Sequence, residues 1–177
     1  RFQLGYGAPG SRFTFSLGAN YMVDQNKLPV SISSYVSLPP HFPVYNTNGS
    51  LNWELFINPE AALLQTSVSN TETFIATGLF NYNLLPGLSF RTSTGYTRSA
   101  LVQQAIKPKA SLNPQFGELN SAVFGNSSTG TLIIEPQLLY QQSLGGVAAT
   151  MLVGGSWQSS RTEGMQHALG RQSQQAA

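Results

Sequence analysis

The sequence predicts an all-β protein: an antiparallel, up-and-down transmembrane β-barrel segment of about six strands, part of a larger barrel. Three observations predict it. Long segments alternate apolar and polar residues, so each strand has one greasy and one wet face. Aromatic rings stand near both ends of the greasy faces, where a barrel places its interfacial girdles. Charge is scarce, at 9% of residues, against about 25% in ordinary soluble domains.

Residues 2–7 alternate from the outset, which reads as a strand of a chain longer than these 177 residues. Ala8-Pro9-Gly10-Ser11 is a tight turn. Strand 12–23 follows, with Phe13, Phe15, Leu17, Ala19, Tyr21 and Val23 on one face. After an irregular stretch, 24–72, strand 73–84 carries Phe74, Ala76, Gly78, Phe80, Tyr82 and Leu84. Leu85-Pro86-Gly87 turns the chain into strand 88–98, with Leu88, Phe90, Thr92, Thr94, Tyr96 and Arg98 on one face. A second long stretch, 99–130, precedes strand 131–142. Ser143 to Gly146 is the next short turn, strand 147–158 follows, and the tail from Ser159 loses the pattern. Gly accepts positive φ and Pro presets φ near −65°, so the Pro-Gly and Gly-Gly pairs punctuate hairpins. Pro136 cannot donate a ladder hydrogen bond, and a bulge or bend is expected there. Thr92 and Thr94 weaken the apolar face of their strand.

These strands exceed the usual ~5–6 residues of globular proteins and match the ~9–11 needed to cross a bilayer as a tilted strand. Short turns on one side and long loops on the other is the asymmetry of outer-membrane barrels, with the long loops outside. The expected membrane-interface rings are Phe13, Tyr82, Phe90 and Tyr140 on the turn side, and Tyr21, Phe74, Tyr96 and Trp157 on the loop side. Six strands cannot close such a barrel, which starts at about eight, and open edges are not viable in lipid. The whole 1–177 is therefore read as a partial barrel domain.

Composition narrows the function classes. Polarity comes from Ser, Thr, Asn and Gln, sixty of the 177 residues, as suits a hydrated lumen facing away from lipid. A formal net charge of +2 gives no case for nucleic acid. There is no Cys, hence no disulfide, thiolate metal site or cysteine nucleophile. His41 and His167 lie far apart without metal-ligand spacing. Of the carboxylates Asp24, Glu54, Glu60, Glu72, Glu118, Glu135 and Glu163, Glu54 and Glu60 are the nearest loop pair; a solvated loop explains them better than glycoside cleavage. The reading is of a protein without enzymatic activity, metal or cofactor. Gly154-Gly155 falls within a strand, where it lets a neighbouring backbone or a plug approach closely.

The stretch NPEAALLQTSVSNTETFIATGLFNYNLLPGLSFRTSTGYT, from Asn58 onward, resembles the barrel of SusC/RagA-type TonB-dependent outer-membrane transporters. Its carriers are an Asn-Pro pair in an outer loop, a strand, a Leu-Pro-Gly-Leu turn and a returning strand ending Gly-Tyr. IIEPQLLYQQSLGGVAATMLVGGSWQ, 133–158, is similar to a later hairpin of those barrels, and PPHFPVYNTNGSLNW, 39–53, to the loop before the Asn-Pro. The resemblance implies a 22-stranded barrel with an N-terminal plug in the bacterial outer membrane. It implies import of oligosaccharides or peptides, driven by TonB–ExbB–ExbD through the plug, with a SusD-type surface lipoprotein as lid.

Within that picture His41, Phe42, Tyr45 and Trp53, amid Asn46, Asn48 and Asn52, are the candidate substrate-binding residues: flat rings and amides suit sugar or peptide capture. Packing of the loop on itself or on the lid is the plainer use of the same rings. Arg91 and Glu135 are expected on the lumen face. Two other readings fit the alternation. One is a soluble β-sandwich carbohydrate-binding module. The other is a passive outer-membrane porin or adhesin without an energised plug.

Overall fold

A computed structural model describes residues 1–8, 10–29, 38–117 and 119–170. Pro9 of the first turn, positions 30–37 of the first long loop, Glu118 and the last seven residues of the tail lie outside the described residues. The elements in order are β1 (Phe2–Tyr6), β2 (Phe13–Pro29), α1 (Pro59–Leu64), β3 (Thr66–Leu85), β4 (Leu88–Lys107), β5 (Ser121–Leu144), β6 (Val147–Gly154) and β7 (Trp157–Gly170). The strands form one sheet in the order β1-β2-β3-β4-β5-β6, with β7 also paired to β5. β1 to β6 each lie beside their neighbours in sequence, β7 runs on past β6 along β5, and the described strands make an open antiparallel meander.

Residues cluster into two units. The first holds Arg1–Val23, Glu72–Ala100 and Ser128–Glu163, and the second holds Asp24–Thr71, Leu101–Ser127 and Gly164–Ala177.

The turns fall where the glycines predict. Ser11 N–H donates to Ala8 O at 3.0 Å. Pro86-Gly87 and Gly145-Gly146 join β3 to β4 and β5 to β6 as two-residue turns. Gly87 has φ +80, and a Cβ built there would lie 2.2 Å from the Gln141 carbonyl oxygen. That same closeness permits the 2.7 Å bond from Gln141 N–H to Gly87 O. Gly87→Ala must therefore pay for left-handed backbone, about 1–2 kcal/mol, and also displace the β5 backbone. A loss of roughly 2 kcal/mol, read as an earlier urea midpoint of the refolded protein, is the expected result; an unchanged midpoint refutes it.

The strands are longer than the side-chain pattern suggests. β2 continues to Pro29, β3 begins at Thr66, β4 runs to Lys107 and β5 starts at Ser121. The tail beyond Ser159, expected to lose strand structure, continues in β7 to Gly170. Backbone pairing persists where apolar and polar residues no longer alternate, as in Leu101-Val102 of β4 and Val123-Phe124 of β5, and the side-chain pattern then carries no signal.

Pro136 acts on its partner rather than on its own strand. β5 passes through it unbroken, and the interruption falls opposite, at Gly155-Ser156 between β6 and β7. Gly155 N–H donates to Pro136 O at 3.1 Å, so Pro136 turns its N side toward that partner and returns no N–H. No residue is inserted. Gln137 faces Gly154 before the gap, and Thr131 meets Ser160 and Thr129 meets Thr162 beyond it, all in one register. The expected bulge is absent, and the ladder simply skips. Gly154 does serve close approach: a Cβ there would sit 3.0 Å from the Pro136 carbonyl oxygen.

Register gathers the first unit's apolar residues onto one face. Tyr6 faces Phe15 and Leu4 faces Leu17 across β1 and β2. Arg12 O with Asn83 N–H, and Thr14 with Asn81, fix β2 against β3, which sets Phe13 opposite Tyr82 and Tyr21 opposite Phe74. The Phe74 and Tyr96 rings lie 6.4 Å apart across β3 and β4. Leu138 faces Val153 and Tyr140 faces Met151. On this face no Asp, Glu, Lys or Arg stands between the turns and the loop-side rings. The first charges come just past those rings: Glu72 beyond Phe74, Arg98 beyond Tyr96, and Arg161 and Glu163 beyond Trp157.

That face has no covering layer among the described residues. Tyr21 is 57% exposed, Met151 62% and Trp157 54%. Among the described residues the buried apolar side chains are Ala61 and Ala62, both in the second unit. Thr92 Oγ1 is buried on the apolar face with no hydrogen-bond partner among the described residues; nothing in the structure explains it.

Candidate functional site

The second unit contains a loop cluster whose interior is built from asparagines. Val44 and Asn52 pair through Asn52 N–H to Val44 O at 2.9 Å, and Tyr45 bridges Leu51. This short hairpin is closed by Asn46-Thr47-Asn48-Gly49-Ser50. Gly49, at φ +79, supplies the left-handed residue that closure needs. Asn46 Nδ2 donates to Ser50 Oγ at 3.0 Å and Leu51 O at 3.2 Å. Asn48 Oδ1 accepts from Ser50 N–H and Oγ–H at 3.0 and 2.7 Å.

Below that turn, Asn58 is the hub, with none of its surface exposed. Its Oδ1 caps α1 by accepting from Glu60 N–H at 3.0 Å and Ala61 N–H at 3.2 Å. Its Nδ2 donates to Val44 O at 2.7 Å and Asn52 O at 2.9 Å. Helix start and hairpin base are thereby tied through one amide. Pro59 at the first helical position follows the usual rule for an orphan N–H. Asn52, also buried, donates to Pro43 O at 2.8 Å and accepts from Glu54 N–H at 2.9 Å.

A second loop docks on the first. Lys109–Ser111 and Pro114–Phe116 are short 3-10 turns. Asn113 caps the latter through Gln115 N–H at 2.9 Å and donates to Phe56 O at 3.4 Å. Gln65 Nε2 donates to Ser111 O at 3.3 Å. The Phe56 and Phe116 rings sit 5.9 Å apart. Phe56 has φ +64, a conformation costing a non-glycine residue about 1–2 kcal/mol. The Asn113 bond and the Phe116 ring hold it there.

The expected binding residues sit around this cluster. His41 is exposed, Phe42 half-buried, Tyr45 exposed and Trp53 half-buried. The hairpin brings Tyr45 and Trp53 to one short segment, but among the described residues none of these four rings stacks on another. The amides expected to greet a ligand are spent within the loop: Asn46, Asn48 and Asn52 all bond inward. Glu54 and Glu60 have exposed side chains. What the cluster offers outward is a braced apolar display, the rings of Tyr45, Phe56 and Phe116 together with Leu55 being exposed. Sequence reasoning missed Phe56 and Phe116. A signal was present: Asn113-Pro114 repeats Asn58-Pro59, and both asparagines prove to be buried caps.

Arg91 and Glu135 lie on the polar face of the first unit. Arg91 is exposed, and half-buried Glu135 accepts from Ser93 Oγ–H at 2.8 Å. Among the described residues no group of three or more His, Asp or Glu side chains is placed to hold a metal ion. No described helix is long and apolar enough to cross a membrane, which says nothing about strands. Neither any protein-family profile nor any curated protein compared with the chain matches it.

Proposed function

We propose that this chain is part of the barrel wall of an outer-membrane TonB-dependent nutrient importer of the SusC/RagA type. It would take up oligosaccharides or peptides beneath a SusD-type lipoprotein. One observation carries the membrane reading: a shared face, free of charge from the turns to the loop-side rings, with charges starting immediately beyond. Phe13 and Tyr21 are eight residues apart, about 26 Å along the strand at ~3.3 Å per residue, or roughly 20 Å of height at the ~40° tilt of such barrels, which fits within their ~25 Å apolar band. In water this face, with no layer over it, is costly at roughly 25 cal/mol per Å² of apolar surface; in lipid it is matched. The opposite face carries Arg91, Ser93, Asn81 and Glu135, as a hydrated lumen requires. Import rather than passive diffusion rests on the resemblance of Asn58 through Tyr96 to the family. The braced loops, with Tyr45, Phe56 and Phe116 displayed, suit capture of a sugar or peptide or a seat for the lid protein.

Spin labels on Leu17 and Ala76 of the full-length protein in bilayers test the wall. Both should be accessible to oxygen and shielded from a water-soluble nickel chelate, and a label on Thr77 should show the reverse. Water exposure at Leu17 and Ala76 ends the membrane reading. Substrate uptake that continues in cells lacking TonB instead favours the passive barrel.

A further inference from the structure

Register places two arginines on either side of a glycine at the loop-side border of the apolar face. The β4–β5 pairing, fixed by Gln141 with Gly87 and Ser93 with Glu135, sets Arg98 opposite Gly130. The β5–β7 pairing, fixed by Thr131 with Ser160 and Thr129 with Thr162, sets Arg161 opposite the same glycine. Arg98, Gly130 and Arg161 form one row across three strands. Nothing lies within 4 Å of a Cβ built on Gly130, so the space between the arginines is open. A cavity of about 410 Å³ occupies it, lined by Tyr96, Arg98, Ser128, Gly130, Arg161 and Glu163.

The flanking strands are two spacings apart, about 9.6 Å, and an extended arginine covers more than half of that. Both guanidiniums can therefore converge above Gly130 on one tetrahedral anion, each offering paired N–H donors. Glu163 pairs with Arg161, steadying that side chain and offsetting one charge. Among the described residues Arg98 has no carboxylate partner. Glu72, on the neighbouring strand at the same border, is engaged by Tyr21 on the side away from Gly130, so the row of Arg98, Gly130 and Arg161 with Glu163 keeps one positive charge. Ser128 adds a hydroxyl donor at the rim, and the Tyr96 ring lies on the apolar side.

We propose that this row binds the phosphate of a membrane lipid headgroup. The proposal rests on the membrane reading above: Tyr96 and Trp157 mark the end of the apolar band, and Arg98 stands one face position beyond Tyr96 and Arg161 two beyond Trp157, at headgroup depth. An anion held there with its acyl chains running down past Tyr96 meets both the charge and the apolar face.

The test uses the full-length protein in phosphatidylcholine bilayers with spin-labelled phosphatidic acid or spin-labelled phosphatidylcholine as the probe. Phosphatidic acid should associate with the protein surface several-fold more than phosphatidylcholine. The double variant R98Q/R161Q should bring that ratio to about one, while Arg12→Gln, near the turn end of β2, leaves it unchanged. A wild-type ratio of one, or a preference kept in the double variant, overturns the proposal. Loss of the preference in tens of millimolar inorganic phosphate assigns the row to a free anion and overturns the lipid source. Failure of the protein to enter bilayers at all, seen from the Leu17 and Ala76 labels, sinks the membrane reading itself.

Discussion

Replacing Asn58 by alanine should unfold the braced loop while leaving the strands paired. The side chain satisfies two helix N–H groups and donates to two carbonyls, all within a fully buried site. Loss of an N-cap costs about 1 kcal/mol, and each buried group left without a partner about 1–3 kcal/mol. Val44 O keeps the Asn52 N–H, so the cap and the Asn52 carbonyl are what is lost. The sum, roughly 2–4 kcal/mol, exceeds what a six-residue helix and one short hairpin can sustain locally. Amide hydrogen exchange reads the result directly. Protection at Ala62 and Gln65, whose N–H groups bond Asn58 O and Ala62 O, should fall by about a hundredfold. Protection at Leu139 and Leu152 in the β5–β6 ladder should stay. Asn58→Asp separates the two halves of the role. It keeps the cap, and as an anion at a helix start it is tolerated, but it turns a carboxylate oxygen toward Val44 O and Asn52 O. Its loop should open nearly as far as in Asn58→Ala. Unchanged exchange at Ala62 in both variants means that the amide hub does not hold the loop.

Ala76→Arg should impair insertion of the full-length protein, and Thr77→Arg should not. The two positions are neighbours in β3 and project to opposite faces. Ala76 lies on the charge-free face one position inside the Phe74 ring, halfway from that ring to the middle of the band at Gly78, and Thr77 lies on the face of Asn81. An arginine on the lipid face costs about 2–4 kcal/mol at the bilayer midplane and about 0–1 kcal/mol at the interface, so the cost at Ala76 falls between them, and one toward the lumen costs little. The comparison cancels helix-versus-strand propensity and net charge, since both variants gain the same side chain one residue apart. Folding yield into short-chain lipid vesicles, read as the heat-modifiable band on gels, should fall steeply for Ala76→Arg alone. Equal yields for the two variants, or a larger fall for Thr77→Arg, contradict the assignment of faces.

Much of the strand architecture was readable from single residues. Alternation located β1 to β5 and the start of the β6–β7 run because a one-sided environment imprints a period of two on the side chains themselves. Pro86-Gly87 and Gly145-Gly146 announced their turns because the required φ values are intrinsic to those residue types. Strand ends were not readable. The outer parts of β2, β4 and β7 do not alternate apolar with polar residues, and only backbone pairing extends them.

The loop cluster was legible in its pieces and not in its assembly. Asn58-Pro59-Glu60 is a capping signature any reader of local rules can find. That Asn58 would also grip Val44 and Asn52, and that Phe56 would be held at positive φ by Asn113, depends on residues up to 57 positions apart. Likewise the sequence marks Pro136 as a missing donor, but which neighbour loses the bond depends on the direction its N side faces.

By itself, then, the chain determined which segments are strands, where they reverse and which side of each is apolar, because those properties are local and each residue carries them alone. Tertiary structure decided how far the strands pair, that all the apolar sides share one face, that the loop amides are consumed inward, and that Arg98 and Arg161 meet across Gly130. These are matters of register, and register exists only between strands, where hydrogen bonds connect residues that no sequence window contains together.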